Sequence, residues 1–277
     1  MTKTIAFQGV AGAYSDLACH SVFPDDKTLP CLSFEDAFAA VQEGRADLAM
    51  IPIENSIAGR VADVHLLLPD AGLTIIGEHY QPVVHHLLAV PGAKLSDIRE
   101  AHSHVQAVAQ CRQFLREKNI TGVVTHDTAG AAAEIAKIGD KAVAAIASEL
   151  AGKMYGLQSL AADIATLRNN TTRFLILARE AKKREAGPTI TTLVYRVRSV
   201  PASLYKTLGG FATNGVNITK IESYLVGGNF SAAQFRLDVE GHPDDGPLRN
   251  ALDELAFFAH EVKILGSYPA HPFRQVK

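Results

Sequence analysis

The chain has 277 residues, 47% of them hydrophobic, enough for two modest cores or one large one. A net charge of −2 with interspersed acids and bases excludes the basic stripe of a nucleic-acid binder, and no apolar run approaches the length of a membrane span. Cys19, Cys31 and Cys111 are odd in number and widely spaced, so they suggest neither a disulfide framework nor a metal pair and point to a reducing cytoplasm. The N-terminus enters a strand at once, without a signal-peptide pattern.

From residue 4 to about 180, short apolar runs alternate with Ala-rich helical stretches. Strands are predicted at residues 4–7, 48–52, 122–125, 142–146 and 175–178, with helices at 14–22, 56–68, 104–116, 128–137 and 147–155. This rhythm predicts an α/β domain with a largely parallel sheet. The charged stretch from Arg179 to Pro188 reads as a solvated linker. Beyond it the pattern becomes β–α–β–β–α–β: strand 191–198, helix 203–213, strand 217–226, strand 230–239, helix 246–259 and strand 261–268. Gly227-Gly228-Asn229 is the hairpin signal. The alternation in the following strand sets Phe230, Ala232, Gln234 and Arg236 opposite Ala233, Phe235 and Leu237. The layout is ferredoxin-like.

In the first domain, several apolar runs end at residues that suit helix N-caps: Gly9 to Ser15, Glu54-Asn55-Ser56, Ser103, Asp127-Thr128 and Ser148. Converging helix N-termini favour anions, and the carboxyl ends of strands are where ligands of open α/β sheets sit. Any one of these residues is equally an ordinary cap. Glu54, just past a buried run, suits either a held acid or an ion pair with a base such as Arg173. In the block Asn170-Thr171-Thr172-Arg173-Phe174, a hydroxyl, an amide and a guanidinium crowd the mouth of a buried strand. That is a poor way to build a core and a good way to hold an anion beside a proton donor. His85-His86, His102 and His104 lack carboxylates or Cys at ligand spacing, so no metal site is expected.

Together these segments resemble the prephenate dehydratase family. Its marks occur in order as residues 9–15, 52–59, 103–111 and 155–157 and the Asn170–Phe174 block. The tail is similar to an ACT domain, with Asn217-Ile218-Thr219-Lys220-Ile221-Glu222-Ser223 at the signature turn. The resemblance implies a catalytic domain over residues 1–181, two-lobed like type II periplasmic binding proteins, with lobes of about 1–78 plus 163–181 and 79–162. A linker at 182–189 and an ACT regulatory domain at 190–277 would follow. The chain would cross between lobes near residues 77–84 and return near 163–172.

The implied reaction converts prephenate to phenylpyruvate, water and CO₂ without a cofactor, as a step of phenylalanine biosynthesis. By matching position, Thr172 is the general acid or aimed donor at the departing hydroxyl, and Arg173 clamps a carboxylate, oriented by Glu54. Asn55, Ser56, Ser103, Gln110 and Asn170 bind substrate, with Thr128 and Phe174 lining the same site. L-phenylalanine is the implied effector, contacting Asn214, Val216, Asn217 and Ile218, and paired ACT modules imply a homodimer or homotetramer. Only three residues precede the first strand, so no chorismate mutase segment is expected. Three departures from the family pattern stand out: Val105 replaces Pro, Tyr224-Leu225 replace Arg-Pro after Glu222-Ser223, and Pro201-Ala202-Ser203-Leu204 replaces the usual Gly-Ala-Leu. Arogenate dehydratase, a non-catalytic small-anion sensor and a purely structural ACT dimeriser are the competing readings.

Overall fold

The computed structural model describes residues 2–197, 200–226 and 229–275. The predicted turn at Gly227-Gly228, the strand end at Arg198 and the side chains of Phe230, Ala232 and Ala233 lie outside the described residues.

The chain opens with β1 (Thr4–Gln8), α1 (Tyr14–Val22), β2 (Lys27–Cys31), α2 (Phe34–Gln42) and β3 (Leu48–Asn55), with β1 parallel to both neighbours. The two-residue β4 (Gly59–Arg60) pairs back on β3, and α3 (Ala62–Leu67) follows. The helix expected over 56–68 is therefore confined to α3. The reason is local: the chain reverses at Gly59, which takes φ +85°, and β4 pairs back on β3, while Asn55 Oδ1 closes the turn by accepting the backbone N–H groups of Ile57 and Ala58 at 2.9 and 2.8 Å.

Next come β5 (Thr74–Pro82), β6 (His86–Ala89), β7 (Glu100–His104), α4 (Val105–Gln110) and α5 (Arg112–Glu117). They are followed by β8 (Thr121–Thr125), α6 (Thr128–Ile138), β9 (Val143–Ala147), α7 (Glu149–Tyr155), β10 (Gln158–Ala161) and β11 (Thr171–Ala178). One sheet has the order β2-β1-β3-β11-β5, with β4 on β3, and the second runs β10-β6-β9-β7-β8. The second sheet is mixed rather than largely parallel, because β6 lies antiparallel to both β9 and β10. Its core is built on small residues: Ala129, Ala131 and Ala132 of α6 are buried against Ala144, Ala145 and Ile146 of β9, so helix and sheet approach closely. The expected helix 104–116 breaks at Cys111 into α4 and α5, and its cap is His104 rather than Ser103.

The C-terminal part consists of β12 (Thr189–Val197), α8 (Ser203–Thr213), β13 (Ile218–Val226), β14 (Asn229–Glu240), α9 (Gly246–Phe258) and β15 (Ala259–Pro269). Its antiparallel sheet order, β13-β14-β12-β15, is the ferredoxin-like arrangement the sequence predicts. Leu193, Tyr195, Phe235, Leu237 and Val239 face the helices, where Phe211, Leu248, Ala251 and Leu255 complete the core.

The chain forms two compact units, residues 1–65 with 79–174, and residues 66–78 with 175–277. In the second unit, segment 66–78 joins the C-terminal module: Lys263 donates to the Pro69 carbonyl, and Arg274 forms a two-pronged ion pair with buried Glu78. Gly266, at a bulge in β15, abuts the backbone of Ile75, and a Cβ there would run into the Ile75 carbonyl. Gly266→Ala is expected to destabilise the protein by about 1–3 kcal/mol through overpacking. Urea unfolding measures this as a lower midpoint, and an unchanged midpoint would show that the two backbones separate at no cost.

Candidate active site

A cavity of about 220 Å³ lies within the first unit. That is below the roughly 300–1,000 Å³ typical of drug-sized ligands and suits a small metabolite. Asn55, Gln110, Thr128, Asn170, Thr172 and Phe174, all expected site residues, line it. So do Tyr14, Ser15, His85, His104 and Gln106, to which the sequence reading gave no binding role. None of the lining residues is a Lys, Arg, Asp or Glu. The starts of α1 and α6, at Tyr14 and Thr128, bring two helix N-termini to its wall.

On one side of the cavity backbone bonds tie the chain after β5 and after β3 to the start of β11. Val83 N–H donates to the Asn170 carbonyl at 2.8 Å, and Ser56 N–H donates to the Thr171 carbonyl at 2.9 Å. Ser56 Oγ donates to the Asn169 carbonyl at 3.1 Å and accepts Thr171 N–H at 3.0 Å. Ser56 thus clamps the returning chain and does not line the cavity, contrary to its expected substrate contact. Ser103 is also absent from the wall. It is fully buried in β7, where its hydroxyl donates to the Ile146 carbonyl at 2.6 Å, because strand alternation turns it into the sheet.

The same alternation decides the Asn170–Phe174 block, of which Thr171 to Phe174 open β11. Thr172 and Phe174 face the cavity, whereas Arg173 points to the other side. Arg173 is buried there, and its Nη1 donates to Glu54 Oε1 at 3.0 Å. The expected guanidinium clamp is therefore not part of the cavity wall. Instead the Glu54–Arg173 ion pair joins β3 to β11 behind it.

The cavity amides form one directed chain. Asn55 Oδ1 is committed to the two backbone donors of Ile57 and Ala58, so its Nδ2 must face the cavity side. Nδ2 donates to Asn170 Oδ1 at 2.6 Å and to Thr172 Oγ1 at 2.9 Å. Asn170 Nδ2, fixed in turn, donates to Gln110 Oε1 at 2.9 Å. Thr172 therefore accepts at its oxygen and keeps its own proton for the cavity, and Gln110 keeps its NH₂ for the cavity. Beside them, burial pushes the Cys111 thiol up to about 12, so it stays protonated and is no nucleophile. Among the described residues no group of three His, Cys, Asp or Glu side chains is placed to hold a metal ion. No helix there is long and apolar enough to cross a membrane.

Of the residues expected to meet an effector, Asn214 is engaged, its Nδ2 donating to Glu254 Oε1 at 2.9 Å and to the Gly210 carbonyl. Val216 and Ile218 pack on the C-terminal core, and Asn217 is exposed.

The prephenate dehydratase family model matches residues 5–182. The chain belongs to the prephenate dehydratase family, whose members are lyases. It is 52% identical over 275 residues to a bifunctional N-acyl-homoserine lactone acylase/prephenate dehydratase of Komagataeibacter europaeus, covering 99% of this chain and 98% of that protein. It is 40% identical to arogenate dehydratase/prephenate dehydratase 1 of Arabidopsis thaliana, over 96% of this chain and 71% of the plant protein. Among solved structures, the prephenate dehydratase of Arthrobacter aurescens in complex with L-Phe superposes with a TM-score of 0.88 at 33% identity, over 96% of this chain and 90% of that one.

Proposed function

We propose that the chain converts prephenate to phenylpyruvate, CO₂ and water. The observation that supports this best is the directed amide chain. It presents Thr172 O–H and Gln110 NH₂ as donors in a cavity whose wall carries no carboxylate, an environment for an anion rather than a cation. In the reaction the ring carboxylate leaves as CO₂, its C–C electron pair enters the ring, and the ring C–O bond breaks. The hydroxyl departs with one proton as water, and the ring becomes aromatic. That gain supplies most of the driving force. A Thr hydroxyl, too weak an acid to lead, serves as a donor aimed at the developing hydroxide. Asn55 and Asn170 hold Thr172 and Gln110, Thr128 and Phe174 shape the cavity, and the Glu54–Arg173 pair keeps β3 and β11 in register behind it.

On this reading residues 190–277 form an ACT domain after a linker at 182–189. L-phenylalanine inhibits through Asn214, Val216, Asn217 and Ile218 at an interface between copies, and the enzyme works in the cytoplasm as a homodimer or homotetramer. The L-Phe complex of the Arthrobacter protein supports the effector assignment. Purified protein mixed with prephenate at neutral pH is expected to form phenylpyruvate, and added phenylalanine is expected to slow it. Parallel assays with arogenate and with an N-acyl-homoserine lactone measure the other activities named for the relatives. If prephenate and arogenate are both inert, a ligand-binding protein replaces the enzyme in this reading.

A further inference from the structure

Gln110 Oε1 has a second partner that the directed amide chain requires to be a donor. His85 Nε2 stands 2.8 Å from it, and because that oxygen only accepts, Nε2 must carry a proton. A neutral imidazole has two forms, and in the other form a bare Nε2 would face the Gln110 oxygen and drive the amide to turn over. The acceptor oxygen of Gln110 therefore selects the Nε2–H form. On the other side of the ring Tyr14 Oη donates to the Val84 carbonyl at 2.7 Å and lies 2.9 Å from His85 Nδ1, and the two rings meet edge to face at 5.6 Å.

Burial holds the imidazole below its usual range, against the pull of its Gln110 bond, and also raises the Tyr14 phenol well above its own. The titratable groups around the pair are Cys111 beside Tyr14, His86 on the next residue and His104 across the cavity.

We propose that His85, its tautomer matched to the acceptor oxygen of Gln110, is a positioning residue for the dehydration: its Nε2–H pins the Gln110 carbonyl, so that the Gln110 NH₂ faces the substrate. The relay then has two independent anchors. The backbone donors of Ile57 and Ala58 fix Asn55, and with it the Thr172 proton, at one end. His85 fixes Gln110 at the other. This inference rests on the prephenate reading of the cavity, and it divides labour within it. Gln110 holds the anion alike in ground and transition state, whereas Thr172 acts on the bond that breaks.

The test combines kinetics and imidazole NMR on the full chain. His85→Leu is expected to raise KM for prephenate by about tenfold or more, in keeping with the cost of a misplaced binding group, and to leave kcat within about threefold. His85→Gln, whose amide NH₂ reaches the same oxygen, is expected to restore KM. In wild-type protein, long-range proton–nitrogen spectra assigned against His85→Gln should show a neutral imidazole protonated at Nε2 at pH 7. An Nδ1-protonated neutral ring would overturn the proposal. An unchanged KM in a folded His85→Leu protein, or a loss confined to kcat, would do the same. If wild-type protein leaves prephenate untouched, the enzymatic reading fails on its own, and the ring spectra still decide whether Nε2–H pins Gln110.

Discussion

Thr172→Val is expected to lower kcat for prephenate by about a hundredfold or more, the usual cost of removing one donor aimed at developing charge. Valine keeps the β-branched shape, so the rotamer and the cavity outline remain. What it removes is the hydroxyl, which accepts from Asn55 at 2.9 Å and for that reason has its proton turned to the cavity. The Asn55 N–H left without a partner adds a stability cost of about 1–3 kcal/mol, which a urea midpoint reports separately from the rate. Thr172→Ser keeps the hydroxyl but loses the stiff rotamer, so its kcat should fall between wild type and Val. If donation to the leaving hydroxyl is the role, the loss lies in kcat with KM little changed. A folded Thr172→Val protein within threefold of wild-type kcat would remove Thr172 from the chemistry.

The strand–helix rhythm of the first part and the β–α–β–β–α–β pattern of the tail were legible because periodicity is a local property that packing rarely reverses. Boundaries failed where a local turn interrupts the expected element. The chain reverses at Gly59 to pair β4 on β3 ahead of α3, and a break at Cys111 divides 104–116. Within the site, Thr172 and Arg173 look equally functional as a string of residues. They separate only once β11 is known to begin at Thr171, because then period-two alternation sends one to the cavity and the other to Glu54. Ser103 was misplaced for the same reason. His85 was weighed only as a metal ligand, although adjacent histidines at the start of a strand already imply that one of them faces inward. Its partner Tyr14 lay inside a quoted motif, but a pairing across 71 residues leaves no trace in composition or spacing.

Asn55→Asp should cost more than Thr172→Val, at least about a thousandfold in kcat/KM at neutral pH, because it reverses the relay rather than removing one member. The new carboxylate is the same shape and keeps one oxygen on the Ile57 and Ala58 N–H groups. Its second oxygen replaces the NH₂ that now donates to Asn170 Oδ1 and Thr172 Oγ1. Thr172 then gives its proton to the carboxylate instead of to the leaving hydroxyl. Asn170 must turn its amide over, and its carbonyl then meets the Gln110 carbonyl that His85 holds in place, so the relay loses its bond to Gln110. A negative charge also enters a wall that carries none. At an effective dielectric of about 20, repulsion from a substrate carboxylate roughly 6 Å away is about 3 kcal/mol, which adds to the roughly 2.7–4 kcal/mol of a lost transition-state donor. The sign with pH follows: protonating the new carboxyl removes the charge and returns one donor, so the variant should gain activity toward acid. Rates measured from pH 5 to pH 8 check this, with a slope that wild type lacks. Wild-type kcat/KM in Asn55→Asp at neutral pH would show that Asn55 does not set the direction of the chain that ends at Gln110.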